Sequence, residues 1–536
     1  MKFKKKKRLR KFNIHPVTVI FLMMIFTILL SFILSKLGVG ASYKVVNPYT
    51  YELETKTFYI KNMLSFSGFK YLITNSFTNL QSFKPLATLL IVLVGLSVAH
   101  ASGLINSFIR RVTSKIDNRF LTFIIIFLGI TGTIINDAIY VILIPLSALI
   151  FLANKRSPIL GIVTAFCGTA FGYGTALFVG TVELKLTKMT HLATYVGDKT
   201  ESMHIALLSN IYIMIPAAIV IALIGTYIIE SLMVKIIGRY KVNDEILSLT
   251  KEVDVEAIQE AAREEKENIK LELNDRRGLI KATIAAFIVI AIFIYMIIPD
   301  LPLSGMLLDK NESSYVNQLF GTSSHFQDGF TVMMMLLFMI TGIVYGISSK
   351  SIKSDKELFN KIAIYLKDVG IIVFSIFIYT LFIYIFNESN IGLVLTCWGV
   401  KLLEILNFKG AALVIVSMFI IALTGFFEPS MYTKWSLFSP VMVPLFMKSN
   451  ISPQFAQFTF RAADSITKGI TPFMSYFIIY LIYLNLYNTE EEPISIKKAM
   501  SYVRPYFLAI GVIWILFILL FFILNLPIGP GVRAII

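Results

Sequence analysis

The sequence predicts an all-α polytopic membrane protein, with about nine transmembrane helices plus two re-entrant hairpins arranged as an inverted repeat. Three observations carry that prediction. Of 536 residues, 56% are apolar and 15% charged, and the mean hydropathy is +0.75. Soluble domains carry about 25% charged and about 45–50% apolar residues, so a soluble globular chain, a disordered chain and a coiled coil are all excluded. The apolar residues gather in runs long enough to span a bilayer. Finally, charges at membrane depth are confined to two apolar regions that glycine and proline interrupt.

A helix needs about 20 apolar residues to cross the hydrocarbon layer. Clean runs of that kind lie at Val17–Leu34, Ala87–Phe108, Ala206–Ile229, Ala282–Ile298, Phe330–Ser349, Ile371–Phe386 and Phe507–Leu524. Regions 120–183 and 411–487 are each long enough for a hairpin plus one crossing helix. This organisation divides the chain into a basic amino-terminal segment (1–16), a first membrane half (17–236, hairpin about 120–153), a charged connector (237–278) and a second half (279–536, hairpin about 411–448).

Basic residues orient it. With the amino terminus cytoplasmic and each hairpin returning to its own side, the inside segments hold 31 Lys or Arg and the outside segments 14. That bias follows the positive-inside rule and places the carboxyl terminus outside a plasma membrane. The run KFKKKKRLRK is then an anchor near anionic lipid rather than a nucleic-acid arm. A signal peptide is not expected, because the first apolar run is long and no small-residue cleavage site follows it. Cys167 and Cys397 lie in apolar surroundings, and the five histidines show no metal-ligand spacing, so neither a disulfide framework nor a zinc site is expected.

An ionised side chain in hydrocarbon costs several kcal/mol unless it faces protein or water, so charges at that depth are functional candidates. They are Asp137 and Glu183 in the first interrupted region, and Glu428, Lys434, Arg461, Asp464 and Lys468 in the second. The interruptions are costly too, because freed backbone groups need partners. TGTIIND breaks the apolar run before Asp137, and GTAFGYGTALFVGTVE places four glycines where one helix should cross. In the second region FEPS, SPVMVPLF and RAADSITKGITP do the same. Each region therefore reads as a hairpin followed by a helix unwound near its middle. Substrate and coupling ions are expected where the two broken helices meet. Gly168 and Gly172, taken singly, suit close helix packing.

The stretch KWSLFSPVMVPLFMKSNISPQFAQFTFRAADSITKGITPFMSYF resembles the most recognisable segment of the AbgT family, the p-aminobenzoyl-glutamate transporters. NIHPVT near the start, SGLI, NDAIYVILIPLSALIFLA, GTVE, RRGLIKA and NESNIG match in order, so the likeness covers nearly the whole chain. It implies a homodimeric, ion-coupled carrier of small aromatic organic anions, importing p-aminobenzoyl-glutamate or expelling sulfonamide antimetabolites. The family's functional positions fall on Trp435, Pro453, Arg461, Asp464, Pro472, Glu183, Asn387 and Asn390. Departures fall on Tyr432, where relatives have serine, and on Gly132-Thr133 and Glu428-Pro429 at the hairpin tips.

The expected mechanism assigns a substrate carboxylate to the guanidinium of Arg461 and an aromatic ring to Trp435, with Tyr432 extending that wall. Pro453 and Pro472 shape the pocket. Asp464 couples to protons or sodium, with oxygen ligands from Asp137, Asn136 and Thr467; no firm metal site is expected beyond a sodium ion near Asp137 and Asp464, and no other cofactor. Two alternatives remain: a carrier of another organic anion, such as a dicarboxylate or peptide-like conjugate, or a membrane-embedded lipid-linked sugar transferase. The second lacks the acidic cluster such enzymes use, and the chain is expected not to be an enzyme.

Overall fold

A computed structural model describes residues 14–238 and 265–536, apart from 48, 50, 51, 113–115, 134–136, 197–204 and 322; the side chains of 112 and 265–272 are likewise outside the description. The basic run before residue 14, most of the connector and Asn136 therefore lie outside the described residues.

Among the described residues, seven helices are long and apolar enough to cross a membrane: Pro16–Lys36, Lys84–Ala101, Ile211–Ile237, Leu273–Tyr295, His325–Ser349, Val369–Glu388 and Ile496–Ile523. Each coincides with one clean apolar run. Local chemistry sets their starts: Pro16 and Pro85 occupy the first turn of their helices, where a missing N–H costs nothing. Ser324 and Ser495 cap theirs by accepting from Gln327 N and Lys498 N.

The two interrupted regions fold alike. In the first, helices Asn118–Gly132 and Ala138–Ala153 flank a tip that ends at Asp137, and helix Pro158–Ala170 follows. One 3-10 turn, Phe171–Gly174, leads into extended backbone until helix Thr181–Thr194. In the second, helices Gly410–Gly425 and Met431–Lys448 flank the tip Phe426–Ser430; helix Pro453–Lys468 then unwinds before Phe477–Leu486. Ser157-Pro158 and Ser452-Pro453 open the two broken helices with a proline in the first turn, and Ser452 also caps its helix by accepting from Phe455 N. Unwinding in the first repeat starts after Gly174, later than Gly168. Gly168 and Gly172 are packing positions, because a Cβ on either would lie 2.8–2.9 Å from Ile126 or Ile130 of the first arm.

The two helix–tip–helix pairs enter from opposite ends of the bundle. Arg156, at the open end of the first pair, donates to the Asn118 carbonyl (3.1 Å) and pairs with Glu230 (2.6 Å). At the open end of the second, the Asn450 carbonyl accepts from Ile536 N (3.0 Å), and Ser452 N donates to Ala534 O (2.9 Å). Helix Ile211–Ile237 connects these ends: it begins after Ser209, packed on Gly529 beside the carboxyl terminus, and reaches Glu230 about 30 Å further on.

Segments 35–86 and 387–411, which hold no clean apolar run of their own, are structured. Strand Gly40–Val46 pairs antiparallel with Leu53–Tyr59, Gly40 opposite Tyr59. Helices Phe66–Ser82 and Ile391–Leu406 follow in their respective segments. The segments meet through Lys44–Glu404 (2.5 Å), Lys61–Glu388 (2.6 Å) and Asn390 Nδ2 donating to Tyr59 O (3.1 Å). At the other end Asp275 binds Arg110 (2.8 Å), Arg111 (2.7 Å) and the Tyr345 hydroxyl (2.5 Å).

Candidate functional site

Both tips, the second unwound segment and the helical turns flanking the first meet at one cavity of about 430 Å³. The first repeat contributes Asp137, Tyr173 and Val182. From the second come Glu428–Tyr432, Lys468 and Phe473–Tyr476, while Lys84, Tyr384 and Asn387 close the remaining wall. The lining is aromatic on several sides and carries two cations, Lys84 and Lys468, opposite two carboxylates, Asp137 and Glu428.

Tyr173 is the hub. Its hydroxyl donates to Asp137, its ring lies 3.8 Å beneath the Lys468 ammonium, and its carbonyl accepts from Arg461 Nε (2.9 Å). Lys468 in turn lies 3.8 Å from Asp464, one helical turn before it. Glu428 accepts from Ser430 N (3.0 Å), folding the second tip on itself, and Ser430 caps the arm that follows.

Directly behind the cavity wall sits a second, fully buried set. Asp464 forms an ion pair with Lys434; both are 1% exposed. Thr467 Oγ1 is buried and has no hydrogen-bond partner among the described residues. Arg461 is committed elsewhere: Nη1 pairs with Glu183, Nη2 donates to Thr175 O (3.1 Å), and Nε is held by Tyr173 O. Glu183 also accepts from Gly180 N (2.9 Å), closing the turn into helix Thr181–Thr194. Arg461 thus satisfies the carbonyls that unwinding exposes in the other repeat, which is what buried backbone requires.

The expected site residues therefore do not gather in one place. Asp137, Tyr432 and Asn387 line the cavity, and Asp464 and Thr467 lie behind it. Trp435 does not reach it: the indole is wholly buried, tilted against Phe460 at 4.5 Å, and donates to Thr190 Oγ1 (3.0 Å) and Leu186 O (3.3 Å). Pro453 starts the helix that ends at Lys468, about 22 Å away along its axis. The carbonyl of Pro472 accepts from Tyr379 (2.7 Å), which pins the unwound segment. Asn390 takes the left-handed conformation between two helices and holds the strand pair. In this conformation Arg461 and Trp435 tie the repeats together, rather than presenting donors or a ring to a ligand. Tyr173 and Lys84 were missed; Tyr173 lay between glycines already singled out, but Lys84 sits in an ordinary helix start.

A chain whose two inverted helix–tip–helix units enclose a polar cavity among membrane-length helices has the build of a carrier. The profile described as "AbgT putative transporter family" matches residues 11–536, and the chain belongs to that family of multi-pass membrane transporters. It is 26% identical over 519 residues to the p-aminobenzoyl-glutamate transport protein of Escherichia coli K12, covering 97% of this chain and 94% of that one. Among solved structures it is similar to the Alcanivorax borkumensis YdaH transporter (24% identity, 96% and 100% covered, TM-score 0.46). It is also similar to Neisseria gonorrhoeae MtrF, described as illuminating a class of antimetabolite efflux pumps (26% identity, 97% and 98% covered, TM-score 0.46).

Proposed function

We propose that this transporter carries small aromatic organic anions of the p-aminobenzoyl-glutamate kind, or expels sulfonamide-type antimetabolites, driven by a proton or sodium gradient. The cavity is the observation that carries this reading. Its volume of about 430 Å³ lies within the roughly 300–1,000 Å³ usual for small-ligand sites. Its aromatic side chains suit an aryl ring, and Lys468 and Lys84 suit carboxylates. The E. coli relative's name adds support for the substrate class.

The two helix–tip–helix pairs act as re-entrant hairpins, and the two repeats exchange inward and outward access around the cavity. Asp464 and Asp137 are the carboxylates that a coupling cation neutralises. The protein lies in the plasma membrane with its amino terminus cytoplasmic and its carboxyl terminus outside, works as a homodimer, and performs transport rather than catalysis. Accumulation of labelled p-aminobenzoyl-glutamate and of a sulfonamide in proteoliposomes, under imposed proton or sodium gradients, tests the reading. Gradient-dependent accumulation of at least one that Lys468→Ala weakens is expected; equal counts with and without protein contradict it.

A further inference from the structure

Lys434 is a buried cation that the transport reading leaves without a task. Its ammonium lies in an environment built for a positive ion. The Asp464 carboxylate is its ion-pair partner. Gly425 ends helix Gly410–Gly425, where the partial negative charge of the helix dipole gathers, and a Cβ added there would stand 3.1 Å from Lys434 Nζ. That same Cβ would run into Thr467 Oγ1, the hydroxyl with no hydrogen-bond partner. A carboxylate, an unpartnered hydroxyl and a helix carboxyl end are the groups that hold a desolvated alkali cation at a broken membrane helix.

We propose that the Lys434 ammonium is a tethered cation occupying a sodium locus at Asp464, so that the carrier is sodium-independent at this position. This rests on the reading of the chain as an ion-coupled transporter and leaves the proton as the ion that Asp464 can couple. Other charged groups facing the pair do not alter the assignment. Lys468 is 3.8 Å from Asp464 but is drawn toward Tyr173 and the cavity. Glu428 belongs to the tip turn, Asp137 is bound by Tyr173, and Arg461 is held by Glu183. Sodium entering beside Lys434 would add a third cation to a carboxylate that already faces Lys434 and, at 3.8 Å, Lys468, which like-charge repulsion opposes.

The test uses purified full-length protein in detergent without substrate, so it stands whether or not p-aminobenzoyl-glutamate is carried. Melting temperature is measured with sodium chloride against choline chloride for the wild type, Lys434→Ala and Lys434→Arg. Wild type and Lys434→Arg are expected to show no sodium response. Lys434→Ala vacates the locus and is expected to gain a saturable sodium stabilisation, lost again in Lys434→Ala/Asp464→Asn. Sodium stabilisation of the wild type overturns the proposal, as does a folded Lys434→Ala without a response. Should Lys434→Ala fail to fold, sodium titration of the wild type decides alone: indifference supports the proposal, and saturable stabilisation rejects it. Proteoliposomes separate the two readings, since absent transport with an intact sodium signature in Lys434→Ala removes only the transport reading.

Discussion

Replacing Arg461 by alanine probes how the repeats are joined. The substitution removes the partner of Glu183, which is 5% exposed at its side chain, and leaves the Tyr173 and Thr175 carbonyls without their donors. Breaking one side of a buried ion pair costs about 3–5 kcal/mol, because the remaining charge is stranded. Two lost carbonyl partners add about 1–3 kcal/mol each unless water enters. Arg461→Ala should therefore be destabilised by at least about 3 kcal/mol, and by at least about 5 kcal/mol if both carbonyls stay dry, a large share of the stability of an ordinary domain. Glu183→Gln in the same chain removes the stranded charge and should return about 2 kcal/mol, so the two substitutions are non-additive. Denaturation in mixed micelles, followed by tryptophan fluorescence, measures the cycle. Costs that simply add would refute the latch. So would a fully stable Arg461→Ala that loses only substrate affinity, which would return Arg461 to the role of carboxylate ligand.

Other outcomes follow from the same geometry. Trp435→Phe keeps a ring against Phe460 but loses the one indole N–H that Thr190 Oγ1 and Leu186 O share. It should cost about 1 kcal/mol of stability and leave substrate affinity within about twofold; equilibrium binding showing a tenfold loss would place Trp435 in the ligand site. Lys468→Ala should weaken p-aminobenzoyl-glutamate binding by about 10–100-fold, the worth of one charged hydrogen bond of about 1.5–3 kcal/mol. An uncharged sulfonamide should suffer less, and equal losses for both in competition binding would argue against a carboxylate contact. Gly168→Ala drives a Cβ to 2.8 Å from the Ile126 backbone and should lower stability by about 1–3 kcal/mol, seen as a reduced melting temperature.

Much of this architecture was legible because the bilayer makes hydropathy and charge unusually informative. Each clean apolar run holds a long helix, and the tip residues fell where helical hydrogen bonding is broken. Both tips also carry the acids, Asp137 and Glu428, that composition had singled out. What stayed hidden depends on distance along the chain. Arg461 and Glu183 are 278 positions apart, and nothing local to either shows that one satisfies the other. Trp435 flanks a lysine and a proline-bearing arm, a context that fits a pocket wall as well as a buried tether. Its two acceptors on helix Thr181–Thr194 settle the geometry here. Strand Leu53–Tyr59 and helix Ile391–Leu406 escaped because one is short and polar and the other too short for a span.

Cysteine labelling across the two repeats tests most directly whether a single wet chamber serves both. Val182→Cys from the first turn of helix Thr181–Thr194 in the first repeat and Ser430→Cys from the second tip can be made in a background lacking the buried native cysteines Cys167 and Cys397. Both positions should react with a water-soluble methanethiosulfonate in native membranes, and bound p-aminobenzoyl-glutamate should slow both to a similar degree. Inert thiols, or protection at one site with none at the other, would contradict a shared substrate chamber.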